Sequence, residues 1–129
     1  GVHEPSMNSF SHYAFGAVHE WMMSTLVGID LASPGFDEIA IRPRPTGTIT
    51  QAEGSTQTRH GKVAVAWEIK DGLQVTCTVP PNTRANVEIP NTWGKTLVDA
   101  KTGTTIPTEV RGNSLHLTIG SGTYSWKTR

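Results

Sequence analysis

Cysteine is almost missing from this chain, with Cys77 alone among 129 residues. A single thiol closes no internal disulfide and offers no cysteine cluster to a metal. An excess of charge is missing too. Eleven Lys and Arg balance eleven Asp and Glu, a formal net charge of zero, which argues against nucleic acid or an anionic membrane as partner. No apolar run approaches the ~20 residues that span a bilayer, and no stretch has the pattern of a signal peptide. The chain begins in mid-motif, so a targeting segment would lie upstream and the compartment stays open. Low-complexity segments and internal repeats are absent as well.

Helical periodicity is scarce, and where it occurs it organises the rest. Over residues 6–29 the positions Ala14, Ala17, Val18, Trp21, Met22, Thr25, Leu26 and Ile29 recur at helical spacing. Asn8 or Ser9 can act as N-cap, and Gly28 supplies a left-handed position that ends the helix. With Phe10, Tyr13 and Phe15 added, the apolar arc covers roughly 200°, about twice what a surface helix needs. A helix of this kind is buried nearly all round, and in isolation its uncovered part predicts self-association. One strip escapes the arc: His12, Gly16, His19, Glu20 and Met23 fall within roughly 100° of one another. That strip is either a solvent face or the lining of a polar cavity.

From Phe36 onward the period changes from 3.6 to 2. Ile39 and Ile41 alternate with polar residues until Pro43 and Pro45. Strands are expected over 48–53 and 56–58, with a bulge at Gly54. Val63, Val65, Trp67 and Ile69 are answered by Leu73, Val75, Cys77 and Val79 across Asp71-Gly72, which suits a tight primed turn. Ala85, Val87 and Ile89 form a further strand. Weaker strands follow over 96–99 and 104–110, then Leu115, Leu117 and Ile119 alternate, and Tyr124 and Trp126 close the chain. Eight or nine short strands at spacings near ten residues predict an antiparallel β-sandwich preceded by one long N-terminal helix. The expected organisation is residues 1–33 as the helical part and 34–129 as the sandwich.

Chemistry is sparse. Glycosidic and similar hydrolyses need a pair of placed carboxyl groups, yet no acidic residue here sits in an acid or base motif. Glu53, Glu68, Glu88 and Glu109 occupy polar strand positions, where a solvated face is the plain explanation. His3 and Glu4 lie in a terminal lead-in. His12 and His19 share a face but lack a third ligand for zinc, and His60 and His116 fall in a loop and on a polar strand face. Trp93 is the one aromatic on a loop, placed either as a lid over the sandwich edge or as a stacking platform for sugar. Cys77 faces inward with Val75 and Val79, as a buried inert thiol. No nucleophile elbow or phosphate loop appears, and no cofactor or metal is expected.

The run Ser6-Met-Asn-Ser-Phe-Ser-His-Tyr-Ala-Phe-Gly-Ala-Val-His-Glu-Trp resembles the last conserved helix of the catalytic barrel in bacterial α-L-rhamnosidases, glycoside hydrolase family 78. It departs from the family form, S-M-N-S-F-N-H-Y-A-F-G-A-V-G-E-W, at Ser11 and His19. Further similarities follow in the family's order: Gly28-Ile29, Pro34-Gly35-Phe36, Ile41-Arg-Pro-Arg-Pro, Val79-Pro-Pro-Asn-Thr-Arg-Ala and Gly120-Ser-Gly-Thr-Tyr. The resemblance implies a C-terminal piece of such an enzyme, the last helix of an (α/α)6 barrel followed by a β-sandwich. It implies an inverting hydrolysis of terminal α-L-rhamnose, with acid and base carboxylates upstream of this chain. It places His12 on the histidine lining the rhamnose pocket and makes the rest of the chain a structural buttress, inactive alone. The implied partners are rhamnose-containing glycosides and the remainder of the barrel. The alternative is a free-standing carbohydrate-binding β-module that uses Trp93, and a third is a purely structural domain.

Overall fold

Alternating strands dominate the computed structural model, which describes residues 26–30 and 38–129. The predicted helix up to Thr25, with Glu4, His12, His19 and Glu20, lies outside the described residues, as does the expected boundary at 33/34. Among the described residues there are eleven strands and no α-helix.

The strands are β1 (Ile29–Asp30), β2 (Glu38–Ile41), β3 (Gln51–Thr58), β4 (Gly61–Ile69), β5 (Leu73–Val79) and β6 (Arg84–Pro90). They continue as β7 (Leu97–Asp99), β8 (Thr105–Ile106), β9 (Glu109–Arg111), β10 (Ser114–Ile119) and β11 (Gly122–Thr128). They form two sheets, one of five strands in the order β1-β2-β6-β10-β9 and one of six in the order β3-β4-β5-β11-β7-β8. Buried residues of both sheets belong to one hydrophobic cluster, so the sheets face each other as a sandwich.

The period-2 pattern explains which side chains meet. On β4 Val63, Val65 and Trp67 are buried, and on β5 Leu73, Val75, Cys77 and Val79. The register sets Val65 opposite Cys77 and Trp67 opposite Val75. From the other sheet come Ile39, Ile41, Ala85, Val87, Ile89 and Leu115. Ile69, Leu117 and Ile119, expected inside, are only partly buried and pack on the cluster from its margin. Cys77 is buried as expected, and desolvation pushes its thiol up to about 12, because burial disfavours the charged thiolate.

Several expectations need correction. The sandwich is not wholly antiparallel: β2 and β6 run parallel, Ile41 beside Val87. A hairpin can only reverse the chain. Here the chain leaves the five-stranded sheet after β2, lays down three strands in the other sheet, and returns beside its starting strand. Gly54 makes no bulge, since β3 pairs with β4 without interruption from Gln51 to Thr58 and Gly54 faces Val65. Asp71 and Gly72 both have positive φ, 54° and 103°. The register of Ile69 opposite Leu73 nevertheless makes the loop three residues long, not two. The stretch expected as one strand over 104–110 is split between β8 and β9, which belong to different sheets. Pro107, which has no N–H to give a ladder, sits at the break.

Between β5 and β6 the chain passes from one sheet to the other through Pro80-Pro81-Asn82-Thr83. Asn82 has φ 57°, the left-handed position that follows proline in a type II turn. Thr83 is buried and donates its hydroxyl to the Pro81 carbonyl at 3.1 Å. At Asp99 a tighter loop forms. Its carboxylate accepts from the backbone N–H of Lys101 at 2.8 Å and of Thr102 at 3.0 Å, and these bonds, Thr102's first, lower its pKa.

Candidate functional site

His12, the one residue expected to touch sugar, lies outside the described residues. What the structure does describe is how the end of its segment joins the sandwich. Three contacts follow one another within residues 26–30. The indole N–H of Trp67 donates to the carbonyl of Leu26 at 2.8 Å, in a buried setting. The backbone N–H of Arg42 donates to the carbonyl of Gly28 at 2.7 Å. Ile29 and Asp30 then pair with Ile41 and Ala40 as β1 against β2. Outside this ladder the Arg42 guanidinium meets the Asp30 carboxylate at 3.0 Å, a half-exposed ion pair that contributes little by itself.

Gly28 fits this junction for two separate reasons. Its φ is +94°, which agrees with the left-handed position read from the sequence. A Cβ there would also lie 2.2 Å from the carbonyl oxygen of Arg42 and 2.7 Å from the nitrogen of Pro43. No side chain fits, and the two neighbouring motifs Gly28-Ile29 and Ile41-Arg-Pro-Arg-Pro meet here backbone to backbone.

A second candidate is the outer face of the five-stranded sheet. There Asp30, Arg42, Asn86, Glu88, Glu109, Arg111, His116 and Thr118 border an open groove of about 440 Å³. The cross-strand register sets His116 between Glu88 and Glu109, and its Nε2 lies 4.0 Å from the Glu88 carboxylate. The polar groups are largely occupied with one another. Ser114 donates to Glu88 at 3.2 Å, Arg111 pairs with Glu109, and Thr118 donates to Asn86 at 3.1 Å. That is the ordinary construction of a polar sheet face from opposed pairs. Its three carboxylates, Asp30, Glu88 and Glu109, are each engaged by a neighbour: Arg42, Ser114 and Arg111 respectively.

Of the remaining sequence candidates, Glu53 and Glu68 line one open pocket of about 300 Å³ on the six-stranded sheet, beside Gln51, Gln74 and Thr76. Glu68 and Glu109 are exposed, and Glu53 and Glu88 are partly buried on strands. His60 is in the β3–β4 turn, where its backbone N–H donates to the Thr58 hydroxyl at 3.2 Å. Trp93 is partly buried and packs against the core, as a lid would. Among the described residues no group of three or more His, Cys, Asp or Glu is arranged to hold a metal ion.

Sequence reasoning recognised Trp67 as core but missed its bond to Leu26. A signal existed, because a buried indole N–H needs an acceptor. Nothing in the alternation says which of the chain's carbonyls supplies it.

Against known proteins, the family model of the bacterial alpha-L-rhamnosidase C-terminal domain matches residues 28–104. An alpha-L-rhamnosidase of Streptomyces avermitilis is 45% identical over 91 residues, 70% of this chain and 9% of its own length. One from Formosa agariphila is 43% identical over 91 residues, 70% of this chain and 10% of its own length. The chain therefore spans about a tenth of these relatives. Among solved structures, the S. avermitilis alpha-L-rhamnosidase complexed with L-rhamnose matches with a TM-score of 0.75 at 32% identity, covering 93% of this chain and 12% of that one. The alpha-L-rhamnosidase from Dictyoglumus thermophilum matches with a TM-score of 0.77, covering 87% of this chain and 13% of that one; at 23% identity it speaks for the fold alone.

Proposed function

This chain belongs to the family of bacterial α-L-rhamnosidase C-terminal domains, and on that premise we propose that it is the closing part of a longer glycoside hydrolase that releases terminal α-L-rhamnose. The observation that carries the reading is the 45% identity to an alpha-L-rhamnosidase over 91 residues. The acid and the base lie upstream of Gly1. The acid protonates the leaving oxygen, and the base activates a water on the opposite face of the sugar, which inverts the anomeric centre. The sandwich, residues 34–129, buttresses the barrel. His12 is the one side chain of this chain that touches sugar, donating from one imidazole nitrogen and accepting at the other.

The experiment is an assay on an aryl α-L-rhamnoside with the full-length protein and, beside it, the 129-residue chain. The full-length protein is expected to release the aryl alcohol with the inverted sugar as first product, and the short chain to release none above a heat-killed control. An inactive full-length protein would refute the substrate class. Turnover by the short chain would refute the upstream placement of acid and base.

A further inference from the structure

Residues 26–30 meet the sandwich along their whole length, and they meet both of its sheets. We infer that this junction is a socket that holds residues 26–30 by non-covalent contact alone, so that a chain cut in the connection through residues 31–37 keeps them seated. Such a socket ties the sandwich to the part of the protein that precedes it, whatever sugar that part cleaves.

The apolar side chains of the segment belong to the core. Leu26, Val27 and Ile29 are 6%, 3% and 4% exposed, comparable with Val65 and Cys77 on the strands, and Val27 and Ile29 are members of the cluster that fills the sandwich. The polar contacts come from the two sheets separately. Trp67 of β4 gives its indole N–H to the Leu26 carbonyl. From the other sheet the Arg42 N–H reaches the Gly28 carbonyl, and β2 pairs with Ile29 and Asp30. Withdrawing the segment would take the acceptor from the buried Trp67 donor and uncover Ile41, now fully buried, so both sides of the socket favour the filled state. The fit is selective as well. Position 28 must be glycine, at φ +94° and with the Arg42 carbonyl oxygen 2.2 Å from where a Cβ would stand. The socket therefore takes a segment that is apolar at its first, second and fourth residues, glycine at its third and acidic at its fifth, opposite Arg42. A short covalent tether adds an effective concentration on the order of millimolar. Cutting it removes that advantage and none of the contacts.

The test is made on the 129-residue chain with a protease recognition sequence inserted between Pro34 and Gly35. After complete cleavage, verified on a denaturing gel, the two pieces are expected to co-elute in gel filtration. Hydrogen exchange reads the socket itself. The Arg42 amide and the Trp67 indole N–H should stay protected in the cut chain, within about tenfold of the uncut one. Gly28→Ala in the cut chain should speed both exchanges by about a hundredfold or more, since strain and overpacking act together. Should that variant not fold, Ile29→Ala removes a buried side chain without touching the glycine and should speed both by at least about tenfold. Val110→Ala, at an exposed position of β9, should change neither. Separation of the pieces would overturn the socket. So would co-elution with the Arg42 amide and the Trp67 indole exchanging freely, because the pieces would then be held elsewhere. Exchange in the cut Gly28→Ala and Ile29→Ala chains equal to that of the cut wild type would overturn it too.

Discussion

Strand β4 lies between its own sequence neighbours, β3 and β5, whereas β6 lies between β2 and β10. The two sheets differ accordingly in what holds them. In the six-stranded sheet the β3-β4-β5 meander is set by short turns and, on β4 and β5, by buried residues at every second position, so each pairing is supported locally. In the five-stranded sheet β2, β6 and β10 come from distant parts of the chain. Its first edge is held by the short β1–β2 ladder and by a backbone contact at Gly28 that only glycine permits. One sheet is supported by side chains added at every turn of its meander; the other has an edge at which no side chain can be added.

The most severe way to break this contrast is Gly28→Ala. The substitution places a Cβ against the Arg42 carbonyl at a positive φ, and strain plus overpacking are expected to remove about 3–5 kcal/mol. Urea unfolding measures it. A loss below about 1 kcal/mol would mean that the β1–β2 edge readjusts freely and that the five-stranded sheet is not held there. Val75→Ala probes the other sheet, at a residue 1% exposed and paired with both Trp67 and Trp126. The expected loss is about 1–3 kcal/mol, since fewer atoms are removed than in Leu→Ala. Unfolding should keep the same denaturant slope; a changed slope would contradict a locally supported sheet.

The remaining effect is absent at neutral pH and confined to alkaline solution. Cys77 ionises near 9.0 when unfolded and near 12 when folded. Above pH 9 the unfolded state therefore gives up a proton that the folded state keeps. Stability is complete below pH 9 and falls as pH rises toward 12, by at most about 1.4 kcal/mol per pH unit. Cys77→Ala should flatten that alkaline decline whatever it does to stability at neutral pH. An unchanged slope would show that the thiol titrates in the native sheet and that this part of the core admits water.

The same contrast governs what could be read from residues alone. Val63 to Val79 were legible because alternation and Asp71-Gly72 are both local, although the length of that turn was not. The partnership of β2 with β6 had no local sign, since Ile39 and Ile41 alternate identically whether the neighbour runs up or down. Ile29 was counted with the helical spacing over 6–29, because a strand of two residues has no period of its own to oppose it. Pro107 stood in view, yet 104–110 was read as one strand across it, and nothing local marked the change of sheet. For the candidate site, Gly28 announced its positive φ, whereas the backbone it lies against is a tertiary fact. Trp67 announced burial and an unmet donor without naming Leu26.

The parallel pair has a consequence in time. A parallel neighbour cannot be reached until the intervening chain has been gathered in, because loop closure must precede the contact that rewards it. For β6 to find β2, the β3-β4-β5 meander must first be compact, and hairpins of that kind form in about 1–10 μs. The five-stranded sheet is then the late product of folding, and β2 with the Gly28 edge waits unpaired on one side until β6 arrives. During that interval β2 is a short open edge carrying Ile39 and Ile41. In a nascent polypeptide it is the place where a chaperone, or another copy of the chain, would have its opportunity.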